Sequence, residues 1–174
     1  MRPHYYYKIA ADTQAGKALR EFTDKCREAD ETAREWAAAH GAANYYESPA
    51  GMAGGVAAVD FGDTAIGKDG WERVTAADGR MLFVPQPDTD LEKEMYALPI
   101  VSEVALIGVL RLKRRVSAKT GKPLPFTFGD ATPVVFLHQG YWYADVPYES
   151  EAEEAAPIPD KEFYRRKMAA TNES

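Results

Sequence analysis

The sequence predicts an α+β fold: a mostly antiparallel sheet packed against one long N-terminal helix, with short helices at the edges. Three observations lead there. Residues 13–40 carry one apolar stripe at helical spacing. Runs of β-branched and aromatic residues, punctuated by glycine and proline, fill much of the remaining chain. Two dipeptides, Asp78-Gly79 and Gln139-Gly140, join such runs in the manner of hairpins.

The helix rests on spacing. Ala15, Leu19, Phe22, Cys26, Ala29, Ala33, Trp36 and His40 follow at alternating steps of four and three, and charged residues of both signs lie between them. Thr13 is placed to cap the start and Gly41 to stop the end. Gly16 costs about 1 kcal/mol against alanine in a helix interior and less in a first turn. Such a helix is about 42 Å long at 1.5 Å per residue. Its stripe faces the core or a homodimer mate along the 13–40 helix.

Strands are expected at His4–Ala10, Ala43–Glu47 and Val56–Phe61, then at Trp71–Thr75 and Arg80–Val84 around Asp78-Gly79. Thr89 followed by Glu92 matches a capping box, so Asp90–Ala97 should be a short helix. Ser102–Arg115 suits either a buried helix or a buried strand. A helix capped by Ser102 is preferred, because Arg111, Lys113, Arg114 and Arg115 would then lie at the end that favours cations. Phe126–Phe128, Val134–His138 and Tyr141–Val146 read as strands. The domain is expected over 1–148. Residues 149–174 follow as an acidic linker, Glu149 to Glu154, and a short helix, Lys161–Ala170.

Composition narrows the function. The chain has 174 residues, one cysteine and a formal net charge of −6. A single cysteine precludes an intramolecular disulfide and suits a reducing compartment. The N-terminus lacks the apolar segment of a signal peptide, and no apolar run is long enough to span a bilayer, so a cytoplasmic location without membrane contact is expected. The net charge disfavours nucleic acid as the general partner without excluding a local basic patch.

No motif commits the chain to catalysis. Asp60-Phe61-Gly62 spells a kinase magnesium motif, but the remaining kinase signatures are absent. Lys119-Thr120-Gly121 lacks the Ser-x-x-Lys partner of penicillin-recognising enzymes, and Gly121-Lys122 lacks the P-loop glycine. The Gly51–Gly55 loop could cradle a phosphate, with Asp60 or Asp63 for acid–base work. It is not followed by the helix that such loops need. Cys26 falls on the apolar stripe. His4, His40 and His138 are not at metal-ligand spacing, and His138, beside a turn, is expected to be exposed. No cofactor and no metal are expected.

Charge and aromatics are more informative. Arg111, Lys113, Arg114, Arg115, Lys119 and Lys122 concentrate positive charge. Aromatics cluster at Tyr5-Tyr6-Tyr7, Tyr45-Tyr46 and Tyr141-Trp142-Tyr143. Exposed aromatics beside cations favour protein contacts. The candidate partner-binding residues are therefore Tyr45, Tyr46, Arg111, Lys113, Arg114, Arg115, Tyr141, Trp142 and Tyr143.

Tyr5-Tyr6-Tyr7-Lys8-Ile9, the charged helix around Phe22 and Cys26, and His40-Gly41-Ala42 resemble small accessory proteins of prophages and other mobile elements of proteobacteria, over about the first sixty residues. That resemblance implies a non-enzymatic protein, such as an anti-CRISPR-like inhibitor, that occludes a surface of a host or phage protein complex. A small ligand-binding enzyme using the Gly51–Gly55 loop, or nucleic-acid binding through residues 111–122, are the alternatives.

Overall fold

The computed structural model describes residues 3–46, 57–62, 68–76, 78–128 and 132–173. The fold is α+β. In chain order the elements are β1 (Tyr5–Ala10), α1 (Gln14–Ala39), β2 (Asn44–Tyr46), β3 (Ala58–Asp60), β4 (Trp71–Thr75), β5 (Met81–Pro85), α2 (Asp90–Tyr96), α3 (Ala105–Val109), β6 (Val134–His138), β7 (Tyr141–Val146), β8 (Ala156–Pro157) and α4 (Asp160–Glu173). The strands form two antiparallel sheets where one was expected. By contacts the chain divides into two compact units, Met1–Lys25 with Val101–Ser174, and Cys26–Ile100. The division falls within α1 and again after Ile100.

The long helix lies where the stripe places it. Thr13 Oγ1 accepts from the Gly16 N–H at 3.1 Å. At the other end Gly41 takes φ +83°, and the Ala42 N–H closes on the Ala37 carbonyl at 2.9 Å. That is the left-handed stop that glycine makes without a Cβ clash. Ala15, Leu19, Ala29 and Ala33 of the stripe are buried, and Phe22, Cys26, Trp36 and His40 are partly buried. Ala15 and Leu19 are buried in the core of the first unit, and Ala33 and Ala37 in that of the second.

The first unit is built on a sheet of order β6-β7-β1-β8. Side chains alternate across it. Tyr7, Ile9, Trp142, Ala144 and Val146 face one way, against Ala15, Leu19, Leu106 and Leu110. Tyr6, Tyr143 and Phe136 face the other way, where α4 supplies the fully buried Phe163. His138 lies on that face too. It is 5% exposed, with Nε2 3.1 Å from Glu173 Oε1. The expectation of an exposed histidine at the turn is corrected, because α4 covers the strand end.

Two further expectations change in this unit. Only Ala105–Val109 of the 102–115 segment is helical, with Val104 at its N-cap position; Ser102 acts one turn earlier, its Oγ accepting from the Val104 N–H at 3.2 Å. Arg111, at φ +48°, ends the helix: the Leu112 N–H reaches back to the Ile107 carbonyl at 2.9 Å. The following cations are therefore not at a helix terminus. Phe126–Phe128 is not a strand. Both rings pack on Tyr148 instead, at 4.9 and 5.8 Å.

The acidic run, expected as a linker, is anchored in the first unit by its small residues while Glu149, Glu151 and Glu153 stay exposed. Ala152 and Ala155 are buried in the core. Glu154 Oε2 accepts from the Ala15 N–H at 3.0 Å, placing a carboxylate at the positive end of α1. Glu154→Ala should cost about 0.5–2 kcal/mol, as the loss of a helix cap does. Urea denaturation checks this; a change within error would show that the cap contributes nothing.

The second unit has the order β2-β3-β5-β4. Val59, Phe61 and Phe83 pack with Ala33, Ala37 and Tyr45, and Ala58, Ala76 and Leu82 form a smaller cluster. Helix α2 carries the expected box. Thr89 Oγ1 accepts from the Glu92 N–H at 3.3 Å, while Glu92 Oε1 accepts from the N–H of Asp88, one residue before the cap.

Candidate functional site

Two backbone pairings fix the basic segment in the first unit. On one side Lys113 N–H donates to the Glu149 carbonyl at 2.8 Å, and Glu151 N–H to the Arg111 carbonyl at 3.0 Å. On the other, Leu124 N–H donates to the Arg115 carbonyl at 2.8 Å and Ser117 N–H to the Lys122 carbonyl at 2.9 Å. Leu112 is buried, so Lys113 and the residues after it are carried outward from an anchored point.

Ser150 ties the platform to the sheet. Its Oγ donates to the Leu110 carbonyl at 2.6 Å, and its N–H to the Tyr7 hydroxyl at 2.8 Å. Burial holds that hydroxyl above the usual tyrosine range, despite the Ser150 bond, which acts the other way.

Tyr5, Lys113, Arg114, Arg115, Val116 and Glu149 line a groove of about 430 Å³. The two arginines are oriented before any ligand arrives. The Arg115 guanidinium lies over the Tyr148 ring at 4.3 Å and donates to the Pro147 carbonyl. Arg114 lies over the Phe126 ring at 5.2 Å. Tyr148 is held in turn, donating to the Thr127 carbonyl at 2.9 Å. Among the described residues, no carboxylate pairs within 4 Å with Lys113, Arg114 or Arg115. Glu149 is thus the groove's one acid but not an ion-pair partner. Such a surface suits an anionic group, since a stacked guanidinium still presents its donor edge.

The remaining candidates are not gathered here. Arg111 serves the turn after α3. Trp142 and Tyr143 are core residues, and Tyr45 is buried in the second unit. Tyr46, also in the second unit, is covered by the Arg80 guanidinium at 4.8 Å. Tyr141 is 40% exposed, with the Lys8 ammonium 4.2 Å from its ring centroid. It belongs to the sheet face that carries Tyr143, not to the groove. Tyr5, Val116 and Glu149 line the groove but are not among the binding candidates that the sequence singles out. Tyr5 was one of three adjacent tyrosines, and only the pleat of β1 separates it from Tyr6.

Among the described residues, no group of three or more His, Cys, Asp or Glu side chains is placed to hold a metal ion. Asp60 Oδ1 accepts from the Gly62 N–H at 2.7 Å, a local turn bond. The Gly51–Gly55 loop and Asp63 lie outside the described residues. No described helix is long and apolar enough to cross a membrane. Comparison with protein families, with curated proteins and with solved structures gave no match.

Proposed function

We propose that this chain is a non-enzymatic accessory protein that occludes an acidic surface of a partner protein with its basic groove. Following the resemblance of its first residues to mobile-element proteins, we assign that partner to a host defence complex. One observation carries the binding reading: three cations without carboxylate partners among the described residues, two of them stacked on aromatic rings, share one groove on a hydrogen-bonded platform.

A protein surface fits better than nucleic acid. The groove contains Glu149, and the chain carries a net charge of −6, both of which oppose a polyphosphate backbone. Complementary charge gives such a contact its specificity and association rate.

Lys113→Glu with Arg114→Glu reverses two exposed charges and leaves the backbone pairings in place. The tagged wild-type chain should retain a specific protein from a host lysate. The double variant should lose at least about tenfold of it, the equivalent of 1.4 kcal/mol. Equal retention by the two proteins counts against the groove.

A further inference from the structure

The basic groove is not lined by charge alone. Val116 forms part of its wall and is 58% exposed, and Tyr5 adds a partly buried ring. A lone valine on a surface needs no explanation. This one shares a groove with two arginines that aromatic rings already hold in place. An acidic ligand that touched only the cations would leave its side chain in water, whereas an apolar group laid on it gains the burial of both.

Charge and size limit the occupant further. The lining sets Lys113, Arg114 and Arg115 against Glu149. Two positive charges remain, and two carboxylates neutralise them. Lys113 and Glu149 are held side by side, the Lys113 N–H donating to the Glu149 carbonyl at 2.8 Å, and Val116 follows three residues later. Three residues of chain span at most about 11 Å. The volume of about 430 Å³ falls within the range of small-ligand sites, roughly 300–1,000 Å³. Both measures suit a few residues of an extended chain and are too small for a broad face of a folded domain.

We infer that the groove takes a short linear segment of the partner protein in which two acidic side chains stand beside a bulky aliphatic one. The carboxylates meet the donor edges of Arg114 and Arg115, which stacking on Phe126 and Tyr148 leaves available, and the aliphatic side chain covers Val116. The inference rests on the acid-binding reading of the groove and narrows it. Charge supplies the attraction, and Val116 supplies the choice among acidic segments.

Fluorescence anisotropy with three labelled peptides of equal length, titrated with the full chain, tests this. One carries Glu-Glu beside Leu, the second Glu-Glu beside Ser, and the third Gln-Gln beside Leu. The first should bind at least about fivefold more tightly than the second, and the third not measurably. Val116→Ser should remove the difference by weakening the first peptide alone. Val104→Ser is the matched control: Val104 is 57% exposed and does not line the groove, so this variant should keep the wild-type preference. Both substitutions are at exposed positions, and circular dichroism checks that the fold is unchanged. The wild-type preference decides even if a variant misfolds. Equal binding of the Leu and Ser peptides, with both lost in Lys113→Glu/Arg114→Glu, would overturn the inference and leave the acid-binding reading standing. A preference that persists in Val116→Ser would also overturn it. Failure of both acidic peptides to bind would remove the reading and the inference together.

Discussion

Gly16→Ala should destabilise the protein by about 2–4 kcal/mol, although alanine is the better helix former. A Cβ built at Gly16 would lie 2.2 Å from the Ala10 carbonyl oxygen and 2.8 Å from both the Ala11 Cα and the Ala11 carbonyl oxygen. All three atoms are backbone, in the turn that delivers β1 into α1. That turn is itself fixed: Thr13 Oγ1 donates to the same Ala10 carbonyl at 2.6 Å. Nothing there can move without breaking the cap. Helix propensity returns only about 1 kcal/mol. Gly108→Ala is the matched control, with nothing within 4 Å of the added methyl, and should be neutral or slightly stabilising. Urea denaturation of the two variants settles the comparison; similar effects would refute the close approach at Gly16.

The second large effect is expected at Phe163. Its ring is fully buried between the sheet and α4, 5.0 Å from Tyr6, 5.4 Å from Phe136 and 5.4 Å from Tyr164. Phe163→Ala removes that packing and leaves a cavity, at a cost of about 3–5 kcal/mol. Tyr164 is next in the chain but 47% exposed. Tyr164→Ala should cost about 1 kcal/mol or less, mostly through its edge contacts with Tyr6 and Phe163. If both variants melt together, α4 does not close the face of the sheet carrying Tyr143.

The elements that could be read from the sequence are those whose signal is local. The stripe from Ala15 to His40 needed only helical periodicity, and Thr89 with Glu92 only a capping pattern. The strands around Asp78-Gly79 and Gln139-Gly140 needed only alternation and a turn. Readings failed where distant segments decide. Residues 149–154 have a linker's composition, yet they pair with residues 111–113 and cap α1 through Glu154. His138 is buried because a helix more than twenty residues later folds over it. The cation cluster was legible as charge, but its geometry was not. A left-handed Arg111 redirects the chain, and Phe126 and Tyr148 orient the arginines from remote positions. Gly16 was visible as a weak helix former. The carbonyl that requires it comes from the preceding turn, whose course no pattern specifies.

The binding proposal depends on the groove of Lys113, Arg114 and Arg115 selecting an acidic protein surface. Fluorescence anisotropy of a labelled peptide rich in Asp and Glu, titrated with the folded chain, tests this most directly. A single-stranded DNA of equal charge serves as competitor. Binding should saturate, weaken as salt rises, and drop at least about tenfold in Lys113→Glu/Arg114→Glu. The DNA should compete less well than unlabelled peptide. A variant that binds the peptide as tightly as the wild-type chain, or a DNA that displaces it more readily than the peptide does, would contradict the account.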